Sequence, residues 1–264
     1  MLVLQNISKT FNPGTINEKK ALDGLNLHLR PGDFVTVIGG NGAGKSTMLN
    51  ATAGVWPVDE GRIILDGEDI TALPEHKRAH LIGRVFQDPM MGTAPNMQLE
   101  ENLALAARRG QKRGLKWGVT NAEREEYHER LKILGLGLED RMTSKVGLLS
   151  GGQRQAVTLL MAVLRKPKLL LLDEHTAALD PGTAAKVLEL SDKIVQENNL
   201  TTLMITHNMR QALELGNRTL MMDRGGIVLD VSGEERAHLT MEDLLARFKG
   251  GAGRDLNNDR MLLS

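Results

Sequence analysis

Gly39, Gly40, Asn41, Gly42, Ala43, Gly44, Lys45, Ser46 and Thr47 form a run of glycines closed by a lysine and two hydroxyls. Between an apolar strand and a helix, such a run suits phosphate. Glycines let the backbone wrap an anion closely, so that successive N–H groups and the N-terminus of the next helix point at it. Lys45 would reach the β- and γ-phosphates of a nucleoside triphosphate, the Ser46 hydroxyl would ligate Mg²⁺, and Thr47 would brace the loop. Alone, the motif says only that some nucleoside triphosphate binds.

A second group is Lys168-Leu169-Leu170-Leu171-Leu172-Asp173-Glu174, an apolar strand ending in two acids. Carboxylates at the C-terminal edge of a parallel strand lie where α/β sheets bind ligands. Asp173 would hold Mg²⁺ through water, and Glu174 would polarise the attacking water as general base. By itself a solvated strand end explains the acids equally well; the phosphate loop upstream favours the chemical reading. The third group is Leu149-Ser150-Gly151-Gly152-Gln153. Ser150 is a good helix N-cap, but two glycines opening a helix are poor helix formers. They make sense if another molecule approaches that backbone, and the helix dipole favours an anion there.

These groups, in this order, resemble the ABC (ATP-binding cassette) ATPase family over essentially residues 1–235. The pattern also includes Gln87 after Val85-Phe86, the turn Ala178-Leu179-Asp180, and His207 after Ile205-Thr206. The resemblance implies ATP and Mg²⁺ as cofactors, with Ser46, Gln87 and Asp173 around the metal and Ser150, Gly151, Gly152 and Gln153 as the signature. It further implies that Gln87 contacts the attacking water and reports to membrane subunits, that Asp180 crosses a dimer interface, and that His207 holds the γ-phosphate. Phe11 stands where the family stacks an aromatic ring on adenine. His175 and Ala178 depart from the Pro and Ser that the family more often carries, and with 11–15 and 87–93 they are similar to bacterial importer ATPases of the tryptophan/tyrosine-type group. The implied assembly is a head-to-tail homodimer with ATP sandwiched between the phosphate loop of one copy and the signature of the other. Its implied partners are integral-membrane permease subunits and an optional extracytoplasmic solute-binding protein. Its implied place is peripheral, on the cytoplasmic face of the membrane.

The elements that must carry these residues are legible in outline. Residues 1–30 read as strands broken by the turn Asn12-Pro13-Gly14-Thr15, an antiparallel edge. Residues 34–38 form a continuous apolar strand running into the glycine loop, and 45–53 a helix stopped by Gly54. A β-rich stretch at 61–71 precedes a basic helical patch at 74–80. Strand signals vanish between 88 and 147, where 100–109 and 122–134 read as helices joined by the basic link 110–118. Alternation then resumes, with helices at 151–165, 182–198 and 209–215 and strands at 168–172, 201–205, 219–222 and 227–231. The fold class expected is an α/β P-loop NTPase with a mostly parallel core sheet, an antiparallel β edge lobe and an inserted helical lobe. Residues 1–250 are expected to form one ATPase domain with the helical lobe at about 88–147, and 251–264 a tail.

Composition narrows the function further. With 264 residues and 41% hydrophobic content the chain can bury a full core. Thirty-three basic residues balance 33 acidic ones, so no net field favours nucleic acid as a partner. The absence of cysteine excludes thiolate metal sites and disulfides. No segment approaches the roughly 18 uninterrupted apolar residues of a spanning helix, so a membrane role must be borrowed from a partner. The basic segment 108–116 with Trp117 reads as a solvated linker more readily than as a headgroup contact. Met90, Met91 and Met97 suit a groove for a permease helix as well as they suit a core. Rival readings are an exporter or lipid-transporter ATPase, a non-transport ABC ATPase, and a small-molecule kinase. A single cassette without a heptad run or basic excess disfavours the second, and the signature with His207 disfavours the third. Import of a small solute such as an amino acid rests on family analogy.

Overall fold

The computed structural model describes residues 1–111 and 118–251. The chain forms two compact units, one of residues 1–78 with 199–264 and the other of 79–198.

The first unit contains two sheets. In the antiparallel one, β1 (Leu2–Phe11) lies between β2 (Lys19–Leu29) and β4 (Glu60–Leu65), with the short β5 (Glu68–Asp69) beyond. Leu25, Leu27 and Leu29 point inward while Asn26 and His28 face out, the two-residue period of a sheet with one wet face. The register shifts between Leu4 and Ile7, where Asn6 takes a left-handed φ of 48° and forms a bulge. The other sheet carries β3 (Phe34–Ile38) between β8 (Thr201–Ile205) and β9 (Arg218–Asp223), parallel to both. All five β3 residues are buried, as a strand covered on both faces requires. The antiparallel β10 (Gly226–Ser232) closes this sheet through the two-residue turn Arg224-Gly225, whose φ values of 46° and 82° match the twist of a hairpin.

Helix α1 (Lys45–Ala53) follows β3, and α2 (Glu75–Arg78) ends this unit's first segment. The basic patch expected at 74–80 is not all surface. Arg78 is 2% exposed and donates from Nη1 to the carbonyls of Ala51 and Thr52 at 2.8 and 2.9 Å, from Nε to Leu73 at 2.7 Å, and from Nη2 to Thr71 at 2.9 Å. It fastens the C-terminal end of α1, where a cation complements the helix dipole. Helices α7 (Met209–Glu214), α8 (Gly233–Ala237) and α9 (Met241–Gly251) complete the unit. Leu244 of α9 packs with Ile38, Met209, Ala212 and Met221.

In the second unit β6 (Ile82–Val85) pairs in parallel with β7 (Leu169–Asp173). Helices α3 (Leu99–Ala107) and α4 (Asn121–Lys132) fall inside the strand-free stretch and are tied by a fork of Arg124 on buried Glu100 at 2.6 and 2.7 Å. The core of the basic link, 112–117, lies outside the described residues, as does the tail beyond 251. Helix α5 (Gly151–Val163) presses on β6 so closely that a Cβ on Gly83 would lie 2.6 Å from the Ala162 carbonyl oxygen. Helix α6 (Pro181–Glu197) packs against α5.

Candidate nucleotide site

The glycine loop belongs to the first unit and is shaped by what it must avoid. Gly39 has φ 148°, and a Cβ there would sit 2.3 Å from the Met222 carbonyl oxygen. Gly44 has φ 101° and would place a Cβ 2.5 Å from the Ala21 carbonyl oxygen. Both positions exclude any other residue on conformation and space together. Gly44 is also the N-cap of α1, and no side chain caps that end. The adjoining Lys45 is 5% exposed, and its ammonium donates to the carbonyl oxygens of Gly39 and Gly40 at 2.7 and 3.1 Å. Ser46 stays exposed and Thr47 half-buried. A helix end without a side-chain cap, a loop free of side-chain bulk and a buried cation fit a polyphosphate.

Two further predicted residues share this unit. Phe11, at the end of β1, meets the edge of Trp56 with ring centroids 4.9 Å apart and planes at 82°, and the Lys9 ammonium lies 5.8 Å from its centroid. Lys9 is fixed in turn by Asp59 at 2.7 Å. Trp56 escaped the sequence reading because nothing local marks it; the signal was the scarcity of aromatics, 3% of the chain. His207 is half-buried in the turn from β8 into α7. That turn is held by Asn208, whose side chain accepts from the Gln211 N–H at 3.0 Å, and by the Thr206 hydroxyl donating to Gln211 Oε1 at 2.8 Å.

The second unit carries the remaining candidates. Asp173 ends β7, half-buried, with Arg84 Nη2 at 3.5 Å from its carboxylate; Arg84 stacks over Phe86 at 4.5 Å. Gln87 is exposed just past β6. Glu174 adopts φ 45°, a left-handed conformation that bulky L-residues take only under constraint. His175 is buried, with Nε2 2.9 Å from the Ser191 hydroxyl, and burial without a counter-charge pushes its imidazole down to about 4. It is therefore neutral near pH 7.

Ser150 caps α5 as its residue type predicts. Its hydroxyl accepts from the Gln153 N–H at 3.3 Å, and the Gln153 side chain accepts from the Ser150 N–H at 3.2 Å, a reciprocal capping box. The two glycines differ in their surroundings. Gly152 is buried, and a Cβ on it would lie 2.0 Å from Thr183 Cγ2 of α6, so its lack of a side chain answers to this chain's own packing. Gly151 is exposed and would meet only Leu179, at 3.2 Å. Asp180 is exposed and caps α6, accepting from the Thr183 N–H at 3.1 Å; hydrogen bonding from Thr183 holds its carboxyl below the usual range. The structure thus brings the signature and the Asp180 turn together through Thr183. Among the described residues no cluster of three or more His, Asp or Glu side chains could bind a metal unaided, and no helix is long and apolar enough to cross a membrane.

The sequence profile of ABC transporters matches residues 22–177, which include the glycine loop, Gln87, the signature and the acid pair. The chain belongs to the ABC transporter family. The tyrosine transport ATP-binding protein of Clostridioides difficile is 46% identical over 94% of this chain and 99% of its own length. The methionine import ATP-binding protein of Corynebacterium diphtheriae is 37% identical over 85% of this chain, which spans 64% of that longer relative. Among solved structures, a dimeric ATP-binding cassette in a post-hydrolysis state with ADP and Pi matches with a TM-score of 0.74 and 31% identity, over 88% of this chain and 98% of that one. The ADP conformation of another ABC transporter cassette matches with a TM-score of 0.77 and 30% identity, over 95% of this chain and 98% of that one. This chain is accordingly an ABC transporter ATPase, an ATP-binding and ATP-hydrolysing subunit with a P-loop α/β fold.

Proposed function

We propose that this ATPase powers import of a small solute, an amino acid with tyrosine and its aromatic relatives first among candidates, through separate membrane subunits at the cytoplasmic face of the membrane. The observation that carries the solute class is the 46% identity to a tyrosine transport ATP-binding protein, sustained over 99% of that protein's length. The observation that carries the chemistry is the uncapped N-terminus of α1 beside buried Lys45.

Lys45 gives up its bonds to the Gly39 and Gly40 carbonyls for the β- and γ-phosphate oxygens of ATP, and the α1 dipole and the loop backbone N–H groups hold the rest of the polyphosphate. Phe11, steadied by Trp56, takes the adenine face. Ser46, Gln87 and Asp173 would hold Mg²⁺, which when bound neutralises phosphate charge as the β–γ bond breaks. Glu174 accepts the proton of the attacking water, and His207 steadies the γ-phosphate. Ser150, Gly151, Gly152 and Gln153 receive the γ-phosphate of a second copy's ATP, and Asp180 meets that copy, so hydrolysis dissolves the contact that ATP made. A permease and, for import, an extracytoplasmic solute-binding protein complete the machine.

The test is reconstitution. Membrane subunits that co-purify with the chain are placed in vesicles with ATP on the cassette side, and labelled tyrosine, methionine and spermidine are offered from the other. ATP-dependent tyrosine uptake, abolished by Lys45→Ala, is the expected result. Transport only in the opposite direction would establish an exporter and overturn the import reading.

A further inference from the structure

We propose that His175 is a positioning residue for hydrolysis, which holds the strained Glu174 backbone in its working conformation by clasping Ser191 of α6. The proposal rests on reading Glu174 as the general base and names the device that aims it.

Glu174 stands at the junction of a buried strand and a turn with φ 45°, a strained conformation that persists only where the surroundings enforce it. On the strand side, Leu169–Leu172 are fully buried and fixed. On the turn side, the Glu174 carbonyl accepts from the Ala177 N–H at 2.9 Å, a bond the turn backbone supplies. The next residue then sends its side chain away from the turn into the interior, to Ser191, which is 1% exposed. The Ser191 hydroxyl spends its proton on the Val187 carbonyl oxygen at 2.7 Å, one turn back along α6. Its lone pair is left to accept from Nε2–H of His175 at 2.9 Å, which fixes the ring as the Nε2–H tautomer. The donor, the acceptor and the helix carbonyl form a buried chain with each proton assigned. Because α6 also bears the cap Asp180 and touches the signature helix through Thr183, the clasp joins the turn after Glu174 to the element that carries both.

The experiment measures steady-state ATP hydrolysis by the full-length chain, with kcat and KM for Mg·ATP separated and the folded fraction checked by circular dichroism. Ser191→Ala, which removes the acceptor for His175 together with the hydroxyl's bond to the Val187 carbonyl, is expected to lower kcat by about 10- to 100-fold, the sensitivity of catalysis to a misplaced group, with KM changed less than about twofold. His175→Leu should behave alike. His175→Gln, whose amide can reach where Nε2–H lies, should recover most of kcat. In a Glu174→Gln background Ser191→Ala should slow the residual rate no further, because the aimed group is already gone. A Ser191→Ala chain that melts earlier yet keeps the parental kcat overturns the clasp as a positioning device. So does an equal slowing in the Glu174→Gln background. Failure of the base reading is separately visible, as a Glu174→Gln chain that hydrolyses ATP at the parental rate; that result overturns the clasp too, since it would aim nothing catalytic.

Discussion

Lys45 and His175 show how buried polar groups divide between chemistry and scaffold. An ammonium that is 5% exposed and bonded to two loop carbonyls is held where an anion can take those carbonyls' place. Lys45→Ala should therefore weaken ATP binding by about 10- to 100-fold, the worth of a charged hydrogen bond at about 1.5–3 kcal/mol, in a nucleotide titration of the folded variant. His175 makes a different prediction, about stability. Its folded value of about 4 lies below the ordinary 6.5 because burial disfavours the imidazolium. Between those values the unfolded chain binds more protons than the folded one, so stability is fully present above about pH 6.5 and is lost as pH falls toward 4. The total is about 3 kcal/mol, at about 1.4 kcal/mol for each unit of difference. Urea unfolding of the parent and of His175→Gln at pH 7 and pH 4.5 isolates the effect. The parent should lose more stability than the variant on acidification; parallel losses would remove His175 as the cause.

Helices α5 and α6 mark where the sequence stops being legible and why. The glycine loop, the acid pair and the cap Ser150 could all be read from the chain because each is a local pattern with one local physical reason. The alternation after residue 150 also located β7, α6 and β8 to within a residue or two, since buried parallel strands leave unbroken apolar runs. The packing constraint on Gly152 could not be read, because it comes from Thr183, distant along the chain and indistinguishable in sequence from a solvent-facing residue near a helix start. Arg78 and Trp56 were opaque likewise: a buried guanidinium on four carbonyls and an aromatic edge contact exist only once distant segments meet. Gly152→Ala tests the helix contact. A methyl group 2.0 Å from Thr183 Cγ2 should destabilise by about 1–3 kcal/mol through overpacking, exceeding the gain of up to about 1 kcal/mol in helix propensity. Thr183→Ser in the same chain removes that Cγ2 and should restore most of the loss in thermal unfolding. An undiminished parental stability in Gly152→Ala would show that α5 and α6 have room to spare.

As a whole molecule the chain carries a glycine loop in one unit and a signature in the other, and solved relatives of the same fold occur as dimers. Two copies facing head to tail would give each ATP both kinds of contact, and ATP would then report on assembly through mass action. Ser150→Arg should leave ATP binding by the monomer intact while abolishing cooperative turnover, because it sets bulk and charge where the proposed sandwich would receive the second copy's γ-phosphate. Parental turnover by that variant would remove the signature from the partner's site. The most direct measurement is made on Glu174→Gln, which removes the proposed proton acceptor and leaves Asp173 and the phosphate loop in place. Light scattering after size exclusion, with and without saturating Mg·ATP, is read beside phosphate release. Phosphate release lowered by about 10²- to 10⁴-fold, the worth of a positioned acid–base group, together with conversion of monomer to dimer on adding ATP, is the expected result. Phosphate release at the parental rate by Glu174→Gln would contradict it.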